Sequence, residues 1–369
     1  MDSTFPAEPL LRAATLDVDL GAVAANYRWF AAAAAGASCA ACVKADAYGL
    51  GLTPVASTLW RAGCREFFVA SVGEGAALRA VLPQAVIYVL NGYLRPELPA
   101  LRAAHLVPVL NDPRQVEAFE ADFPTGMPAA LQIDSGMTRL GLDIADLAAL
   151  APRWRQPGAI ALLLSHLACA EDAQHPLNRT QLQRFRDAWS ALGQPRASLA
   201  NSSGVLLGAD WRFDLVRPGA GLYGLNPQPH RPNPLQTVVR LTAPVLQVRA
   251  IREDTSVGYG ASYRMKAPGR IATVACGYAD GYPRAASNRA AALVDGRRAP
   301  LIGRLSMDLL MLDVSALPEG MPQPGDAVDL LGSDYDVDAL AAAAGTIGYE
   351  LLTHLGRLCR RRYHDASGG

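Results

Sequence analysis

Lysine is almost absent from this sequence. Of its 34 basic residues only two, Lys44 and Lys266, are lysines, and all the others are arginines. Lys44 follows the apolar run ACV, where a cation is unexpected. A lysine amine forms a Schiff base and loses its proton readily, whereas a guanidinium does neither. Lys44 therefore indicates a site that needs an amine, although a surface or ion-pair lysine is the plainer interpretation of this residue alone.

An excess of charge and long apolar runs are also lacking. The 34 basic residues balance 34 acidic ones, and 50% of the 369 residues are apolar. This composition argues against wholesale disorder, gives no support for a nucleic-acid or membrane partner, and favours a small-molecule site. The run AAAAAGASCAACV is split by Gly36 and Ser38 and is too short to span a bilayer.

Cysteine patterns that bind metal are missing as well. Cys39 and Cys42 form a CxxC pair, but no second pair or histidine cluster accompanies it. We therefore predict buried thiols and no metal site. Scattered cysteines are typical of a reducing compartment. The N-terminus has no basic segment followed by an apolar core, so we expect no signal peptide and a cytoplasmic protein.

What the chain does have is a regular alternation of apolar strand-like segments and amphipathic helical segments. Eight such strands, with helices in most gaps, are typical of a parallel (β/α)8 TIM-type barrel. The predicted strands are residues 39–44, 65–71, 85–91, 106–111, 129–134, 159–166, 197–202 and 213–217. The predicted helices are residues 53–63, 74–83, 96–105, 113–123, 143–154 and 177–193.

After about residue 235 the pattern changes to longer β-branched runs punctuated by proline and glycine. We therefore predict an α/β protein with a barrel domain over residues 1–235 and a mainly β domain over 236–369. One helix, over 336–357, is expected near the end of the second domain. A strand at 16–20 precedes the barrel and is a candidate for the edge of the second domain's sheet.

Polar groups follow five of the eight predicted barrel strands. The active site of such a barrel lies at the carboxyl ends of its strands. Each group alone has a plainer interpretation, such as a core histidine, a salt-bridge arginine or an ordinary loop. Together, an amine, a permanent cation, a hydroxyl and glycine turns indicate a phosphorylated cofactor that is attached covalently and has a ring nitrogen. These groups are Lys44, Arg139, Ser165, His166, Asn201, Ser202, Arg217 and Gly219.

Nine motifs resemble, in order and spacing, those of the alanine racemases. The similarity extends from about residue 14 to 363. That family binds pyridoxal phosphate on a (β/α)8 barrel and has a C-terminal β domain. The motifs are VKADAYGLG, IDSGMTRLG, LSHLACAED, ANSSG, VRPGAGLYG, VGYGASY, CGYADGYPR, GRLSMD and IGYE.

The resemblance implies racemisation by two bases on opposite faces of the substrate Cα. Lys44 is similar to the lysine that holds the cofactor and acts as one base. Tyr259 is similar to the opposing base, which the family delivers from a partner subunit, so a homodimer is expected. Arg217 resembles the partner of the pyridine nitrogen, where a permanent cation disfavours ring protonation and so limits side reactions.

The resemblance assigns further contacts around the cofactor. His166 and Asn201 are implied to lie beside the cofactor, with His166 packed against its ring, and Arg139 and the Met307 backbone to contact the substrate carboxylate and the cofactor hydroxyl. The residues that resemble the phosphate ligands are Tyr48, Ser202, Gly219 and Tyr349. Those that match the family's entrance gate and partner-side surface are Glu171, Tyr278, Arg284, Arg304 and Asp308.

The sequence departs from the family pattern at several positions. Gln132 stands where many members carry a carbamylated lysine paired with Arg139. Either the Gln132 oxygen accepts a hydrogen bond from Arg139, or an anion such as chloride lies nearby. The other departures are Asp46 and Leu50 in the lysine motif, Ser306 for a frequent cysteine, and Arg357 for a gate tyrosine.

The leading hypothesis is therefore an alanine racemase that makes D-alanine for peptidoglycan or returns it to L-alanine. A broader alanine and serine racemase is an alternative within the class. A decarboxylase of related fold wants an acid at the pyridine nitrogen, where this chain has Arg217. A non-catalytic cofactor carrier would not need a second domain with Tyr259 and Met307.

Overall fold

The structure is a computed structural model that describes residues 14–123, 127, 129–150, 154, 156 and 158–365. The described residues divide into two compact units. The barrel unit comprises Gly21–Ala47 and Gly51–Gln236. The β unit comprises Tyr48–Leu50, the residues from Thr237 onwards, and the N-terminal residues up to Leu20.

Eight parallel strands lie among the described residues of the barrel unit. Seven strand positions follow one another in chain order in a single sheet. The eighth strand pairs in parallel with the first half of strand one, and Arg217 N donates to the carbonyl of Ala200, just after strand seven, at 2.9 Å. The barrel is therefore closed. Its strands are Ser38–Cys39 continued by Ala41–Cys42, then Glu66–Val69, Val86–Val89, Val107–Leu110, Ala129–Gln132, Ile160–Leu164, Ala197–Ser198 and Leu215–Val216.

Each of these strands lies inside its predicted range, except that the first begins one residue early, at Ser38, and most are shorter than predicted. The predicted barrel is confirmed. The centres of the strands are fully buried, as at Phe67, Ile87, Leu131 and Leu163. Strands covered on both faces have continuous apolar sequences rather than alternating ones, and this is the pattern in the chain.

Helices follow most of the barrel strands. Asp112 and His175 cap two of them by accepting hydrogen bonds from backbone N–H groups, and a proline follows each cap. The helices of this part of the chain are Leu20–Ala34, Leu52–Arg61, Val72–Val81, Leu98–Ala103, Pro113–Asp122 and Pro176–Ala191. Short 3-10 helices occupy Arg95–Glu97, Ile144–Ala149, Gly204–Leu207, Ala209–Trp211 and Ala220–Tyr223.

One predicted helix of the barrel is wrong in type. Residues 143–154 were expected to be α-helical, but Ile144–Ala149 form a 3-10 helix. Asp143 caps it by accepting from Ala145 N at 3.0 Å, and Leu150 already has an extended backbone. Residues 151–153 of the predicted helix lie outside the described residues.

The β unit is organised around one long strand, Val239–Ile251. It pairs antiparallel with Thr15–Asp19, Gly269–Val274 and Ala327–Leu331. Thr15–Asp19 also pairs in parallel with the last strand, Arg360–His364, so the N-terminal strand belongs to this sheet. The mainly β second domain is confirmed. Its other strands are Thr255–Val257, Tyr263–Met265, Ala291–Val294, Arg297–Pro300 and Leu310–Asp313.

The single helix predicted over 336–357 is two helices, Val337–Ala344 and Gly348–Leu358. Gly345 ends the first in the left-handed conformation, with φ 71° and ψ 35°. Glycine adopts this conformation without a steric penalty and commonly ends helices. Three short 3-10 helices, Tyr259–Ala261, Tyr278–Asp280 and Arg284–Ala286, complete the unit. Across the described residues, no helix has both the length and the apolar character needed to cross a bilayer.

Candidate active site

Lys44 lies immediately beyond the carboxyl end of the first barrel strand. The three residues after it, Ala45, Asp46 and Ala47, have left-handed backbones with φ between 54° and 56°. This conformation costs a residue with a Cβ roughly 1–2 kcal/mol. The amine is therefore followed by a strained turn that other contacts must hold in place.

Glu74 and Asp46 supply two of those contacts. Glu74 Oε1 accepts from Ala45 N at 2.8 Å, while its Oε2 accepts from Ala70 N at 2.7 Å. Asp46 Oδ1 accepts from Leu52 N at 2.6 Å. The helix that begins at Leu52 has Gly51 as its N-cap, which has no side chain to do this. The aspartate departure in the lysine motif thus has a structural reason, and the other departure, Leu50, is fully buried.

Arg217, at the end of the eighth strand, is only 6% exposed. Its Nη1 donates to Ser198 Oγ at 2.5 Å and its Nη2 to the carbonyl of Ser165 at 2.6 Å. The Cζ atom lies 5.8 Å from the centroid of the Phe68 ring. No carboxylate pairs with this guanidinium within the described part of the chain. Burial lowers its pKa to about 10, so it is still protonated at neutral pH.

His166 follows the sixth strand and lies close to three cations. Burial lowers the pKa of its imidazole to about 3, and the charges of Arg217, Arg139 and Lys44 contribute to the same shift. By its surface area, His166 as a whole residue is half-buried. Because of the lowered pKa, it is neutral at physiological pH and is suited to pack against an aromatic ring.

Glycine turns close this end of the barrel beside Arg217. Ser202 Oγ accepts from Gly219 N at 3.0 Å and from Gly221 N at 3.2 Å. Asn201 Oδ1 accepts from Gly204 N at 2.9 Å, and Asn201 forms a parallel bridge with Arg217. The ends of strands seven and eight are thus adjacent.

Arg139 lies on an exposed loop after the fifth strand. Asp134 Oδ1 shapes this loop by accepting from three successive backbone N–H groups at 2.9–3.1 Å. Gln132 Nε2 donates to the carbonyl of Leu140 at 2.9 Å. Between Gln132 and Arg139 themselves, both described residues, no hydrogen bond is formed, and this speaks against the first of the two alternatives for Gln132.

The remaining predicted site residues lie in the β unit. Tyr48 and Tyr349 have ring centroids 6.0 Å apart with the planes tilted by 44°. Tyr259 stands between Gly258 and Gly260, both with positive φ, and is 70% exposed. A Cβ at Gly258 would come within 3.0 Å of Arg304 N, so the turn that carries Tyr259 packs on backbone.

Met307 is also exposed and lies beside Tyr278. Tyr278 N donates to the carbonyl of Ser306 at 3.2 Å, and Ala279 N donates to that of Met307 at 2.9 Å. Tyr259, Tyr278 and Met307 therefore project from neighbouring loops of the β unit.

Two residues that hold the site were not identified from the sequence. Glu74 belongs to Ser71-Val72-Gly73-Glu74, a capping-box pattern that marks a helix start, and this signal was available. Ser198, which accepts from Arg217, is a polar residue inside a buried strand. Nothing in the local sequence links it to a residue 19 positions away.

The barrel side chains fit pyridoxal phosphate chemically. Lys44 offers the amine that an aldehyde needs. Arg217 is a buried cation whose described partners are neutral, so a ring nitrogen or an anion nearby is favourable. The hydroxyl of Ser202 and the N–H groups of glycine turns are typical of phosphate sites.

Removing the Glu74 carboxylate is expected to destabilise the turn after Lys44. Glu74→Ala should lower the free energy of unfolding by about 1–3 kcal/mol, since a charged acceptor of two N–H groups is lost. Urea unfolding followed by circular dichroism measures this. Glu117→Ala, at an exposed helix position, is the control, and an equal loss in both variants would contradict the assignment.

The depressed pKa of His166 makes folding stability depend on pH. The unfolded imidazole titrates near 6.5 and the folded one near 3, so the unfolded state binds more protons between these values. Stability is therefore fully present above pH 6.5 and declines toward pH 3. His166→Asn should decline less than wild type between pH 7 and 4 in urea unfolding. The prediction would be refuted if the free energy of unfolding fell equally with pH in wild type and His166→Asn. It would also be refuted if the exposed control His105→Asn changed the pH dependence as much.

Comparison with known proteins identifies the family. The family model "Alanine racemase, N-terminal domain" matches residues 18–227, and "Alanine racemase, C-terminal domain" matches residues 238–363. The chain is 47% identical over 356 residues to an alanine racemase of Methylobacterium sp. (strain 4-46), covering 95% of this chain and 98% of that protein. It is 48% identical over 365 residues to that of Rhodospirillum rubrum, covering 96% and 97%.

A solved structure agrees with these matches. The crystal structure of alanine racemase from Bartonella henselae is 39% identical, with a TM-score of 0.91, and covers 95% of this chain and 99% of that one. That protein holds covalently bound pyridoxal phosphate, in agreement with the predicted cofactor. The resemblance carried by the nine motifs is confirmed, and the chain belongs to the alanine racemase family.

Proposed function

We propose that this chain is an alanine racemase that interconverts L-alanine and D-alanine with pyridoxal phosphate as cofactor. The observation that carries the proposal is the buried Arg217, held by two neutral acceptors. A guanidinium beside the pyridine nitrogen keeps that nitrogen unprotonated, whereas decarboxylation is favoured by an acid there. Racemisation needs the weaker electron sink, because it must return a proton to Cα and avoid other outcomes.

Pyridoxal phosphate, when bound, supplies the electron delocalisation that acidifies the Cα proton of the substrate. Lys44 Nζ would hold the cofactor through its aldehyde and, as a free amine, would take or return the proton on one face of Cα. Tyr259 Oη of a second subunit serves the other face. His166, neutral and close to Arg217, packs against the ring without adding charge.

The other predicted residues have binding roles in this proposal. Arg139 and the Met307 backbone contact the substrate carboxylate and the cofactor hydroxyl, and Asn201 lies beside the cofactor. The residues proposed to hold the phosphate are Tyr48, Ser202, Gly219 and Tyr349. Cofactor attachment thus falls to the domain predicted over 1–235, and the second base to the domain predicted over 236–369.

A homodimer with shared active sites is part of the proposal. Tyr259, Tyr278 and Met307 are 70%, 42% and 54% exposed and project from neighbouring loops. Large apolar side chains grouped in this way are typical of a surface that another protein covers. A second copy would cover them and deliver Tyr259.

A cytoplasmic location completes the proposal, together with a role in either supplying D-alanine for peptidoglycan or returning it to L-alanine. The location is supported by all six cysteines, which are free thiols in the structure.

A product assay tests the reaction. Purified protein with pyridoxal phosphate and L-alanine should form D-alanine until the two enantiomers are equal, measured by chiral chromatography. L-serine in the same assay measures substrate breadth, and trapped carbon dioxide reports decarboxylation. Carbon dioxide without D-alanine would replace the racemase proposal with the decarboxylase one.

Tyr259→Phe separates the two bases. It should keep the cofactor attached but slow racemisation by roughly 10²–10⁴-fold, because a general base is lost. Lys44→Ala should instead also lose the cofactor that borohydride fixes covalently to wild type. Tyr363→Phe, which removes an exposed hydroxyl on the last strand of the same unit, is the control. Near-full activity of Tyr259→Phe would remove this tyrosine from its role.

A further inference from the structure

Gln181 is a fully buried glutamine in the middle of the helix Pro176–Ala191. Its Oε1 accepts from Ala168 N at 2.9 Å. Its Nε2 donates to the carbonyl of His166 at 2.9 Å and to Ser135 Oγ at 3.2 Å. Because a backbone N–H can only donate, the Ala168 contact fixes which end of the amide is oxygen. A single side chain is therefore hydrogen-bonded to the backbone on both sides of Leu167.

The backbone that Gln181 grips has no regular secondary structure. The sixth barrel strand ends at Leu164, and residues 165–167 belong to no strand or helix. His166 O and Ala168 N thus lack the ladder partners that would otherwise fix them. Buried backbone groups of this kind need a partner from elsewhere, and a glutamine amide satisfies one acceptor and one donor together.

The same amide begins a chain of buried hydrogen bonds. Ser135 Oγ and Ser165 Oγ are 2.7 Å apart, and Ser165 Oγ donates to the carbonyl of Ile133 at 2.7 Å. The Ser165 carbonyl, in turn, accepts from Arg217 Nη2 at 2.6 Å. Gln181, Ser135 and Ser165 are all at most 1% exposed. The chain joins the ends of the fifth, sixth and eighth strands, which carry Arg139, His166 and Arg217.

We propose that Gln181 is a positioning residue that fixes the His166 ring against the cofactor and aligns the Ser165 carbonyl that holds Arg217. This inference rests on the proposed function, because the ring it positions is expected to pack on pyridoxal phosphate. Gln181 itself touches no reacting atom. Its effect is transmitted through the His166 and Ala168 backbone and through the two serine hydroxyls.

The decisive readout is the visible circular dichroism of bound pyridoxal phosphate, since the band depends on how the ring is held in its chiral surroundings. Gln181→Met keeps the length of the side chain but removes its donor and acceptor. We expect a smaller band per bound cofactor and a kcat lower by about 10²-fold, the size of effect that a displacement of about 1 Å produces. KM for alanine should change less than kcat.

Gln181→Glu provides a rescue. Ionised, it still accepts from Ala168 N but cannot donate; protonated, its O–H donates one hydrogen bond again. Burial raises the pKa of a carboxyl group, so protonation falls within a workable pH range. The visible band of Gln181→Glu should therefore recover toward that of wild type as the pH is lowered.

Gln183→Met is the matched control, because Gln183 lies on the same helix, is exposed, and donates to Asp187 Oδ1 at 2.8 Å on the surface. It should keep the wild-type band and kcat. A merely structural role for Gln181 would lower the melting temperature but leave the band and the kcat of the folded, cofactor-loaded fraction unchanged.

The proposal would be overturned if Gln181→Met had the same visible circular dichroism band and the same kcat as wild type. Should that variant not fold, Gln181→Glu decides, and a band that does not respond to pH would equally overturn it. The test stands apart from the proposed reaction. If wild type binds pyridoxal phosphate but makes no D-alanine, the racemase proposal fails while the comparison of bands still decides the role of Gln181.

Discussion

The site depends on the closure of the barrel by its short eighth strand. Ala40 N and Cys42 N donate to the carbonyls of Val216 and Pro218, each at 2.9 Å, and Arg217 N donates to that of Ala200 at 2.9 Å. Side chains alternate along a strand, so a register shift of one residue would turn Arg217 away from its present surroundings. The eighth strand has only two residues, and hydrogen bonds on both of its edges fix its register. They bring Arg217, near the end of the barrel sequence, close to Lys44, near its beginning.

That meeting concentrates positive charge. Burial, with the added charges of Arg217, Arg139 and Lys44, lowers the pKa of His166 to about 3. Burying a guanidinium beside neutral acceptors is costly, and the described structure offsets it only with a carbonyl, a hydroxyl and the face of Phe68. An anionic ligand would relieve this imbalance, so the protein alone is electrostatically matched to a phosphorylated molecule. A carboxylate of the protein beside Arg217 would have offset the free-energy cost of burying the guanidinium. It would also have removed the preference of this site for an anionic ligand.

The sequence predicted the strands well because strands buried on both faces are uninterrupted apolar runs, as in IALLL at Ile160–Leu164. The positions of Lys44 and His166 just after barrel strands could be predicted for a related reason, since each is a polar residue at the end of such a run. The C-terminal helix break was missed although Gly345 is a recognised stop signal. Sequence typical of a helix continues on both sides of that glycine, so the prediction followed this longer pattern and joined the two helices into one. For Ile144–Ala149, short-range propensity did not separate an α-helix from a 3-10 helix.

Residues that hold the site were harder to find because their partners are backbone groups distant in sequence. Glu74 reaches Ala45 across 29 positions, and Gln181 reaches His166 across 15. Neither has a side chain that chemistry alone would single out. A left-handed turn of residues with a Cβ persists only where surrounding contacts over-determine it. The position of Lys44 is therefore set as much by a carboxylate on a neighbouring helix as by its own strand, and a family motif can match while the geometry it implies depends on residues outside it.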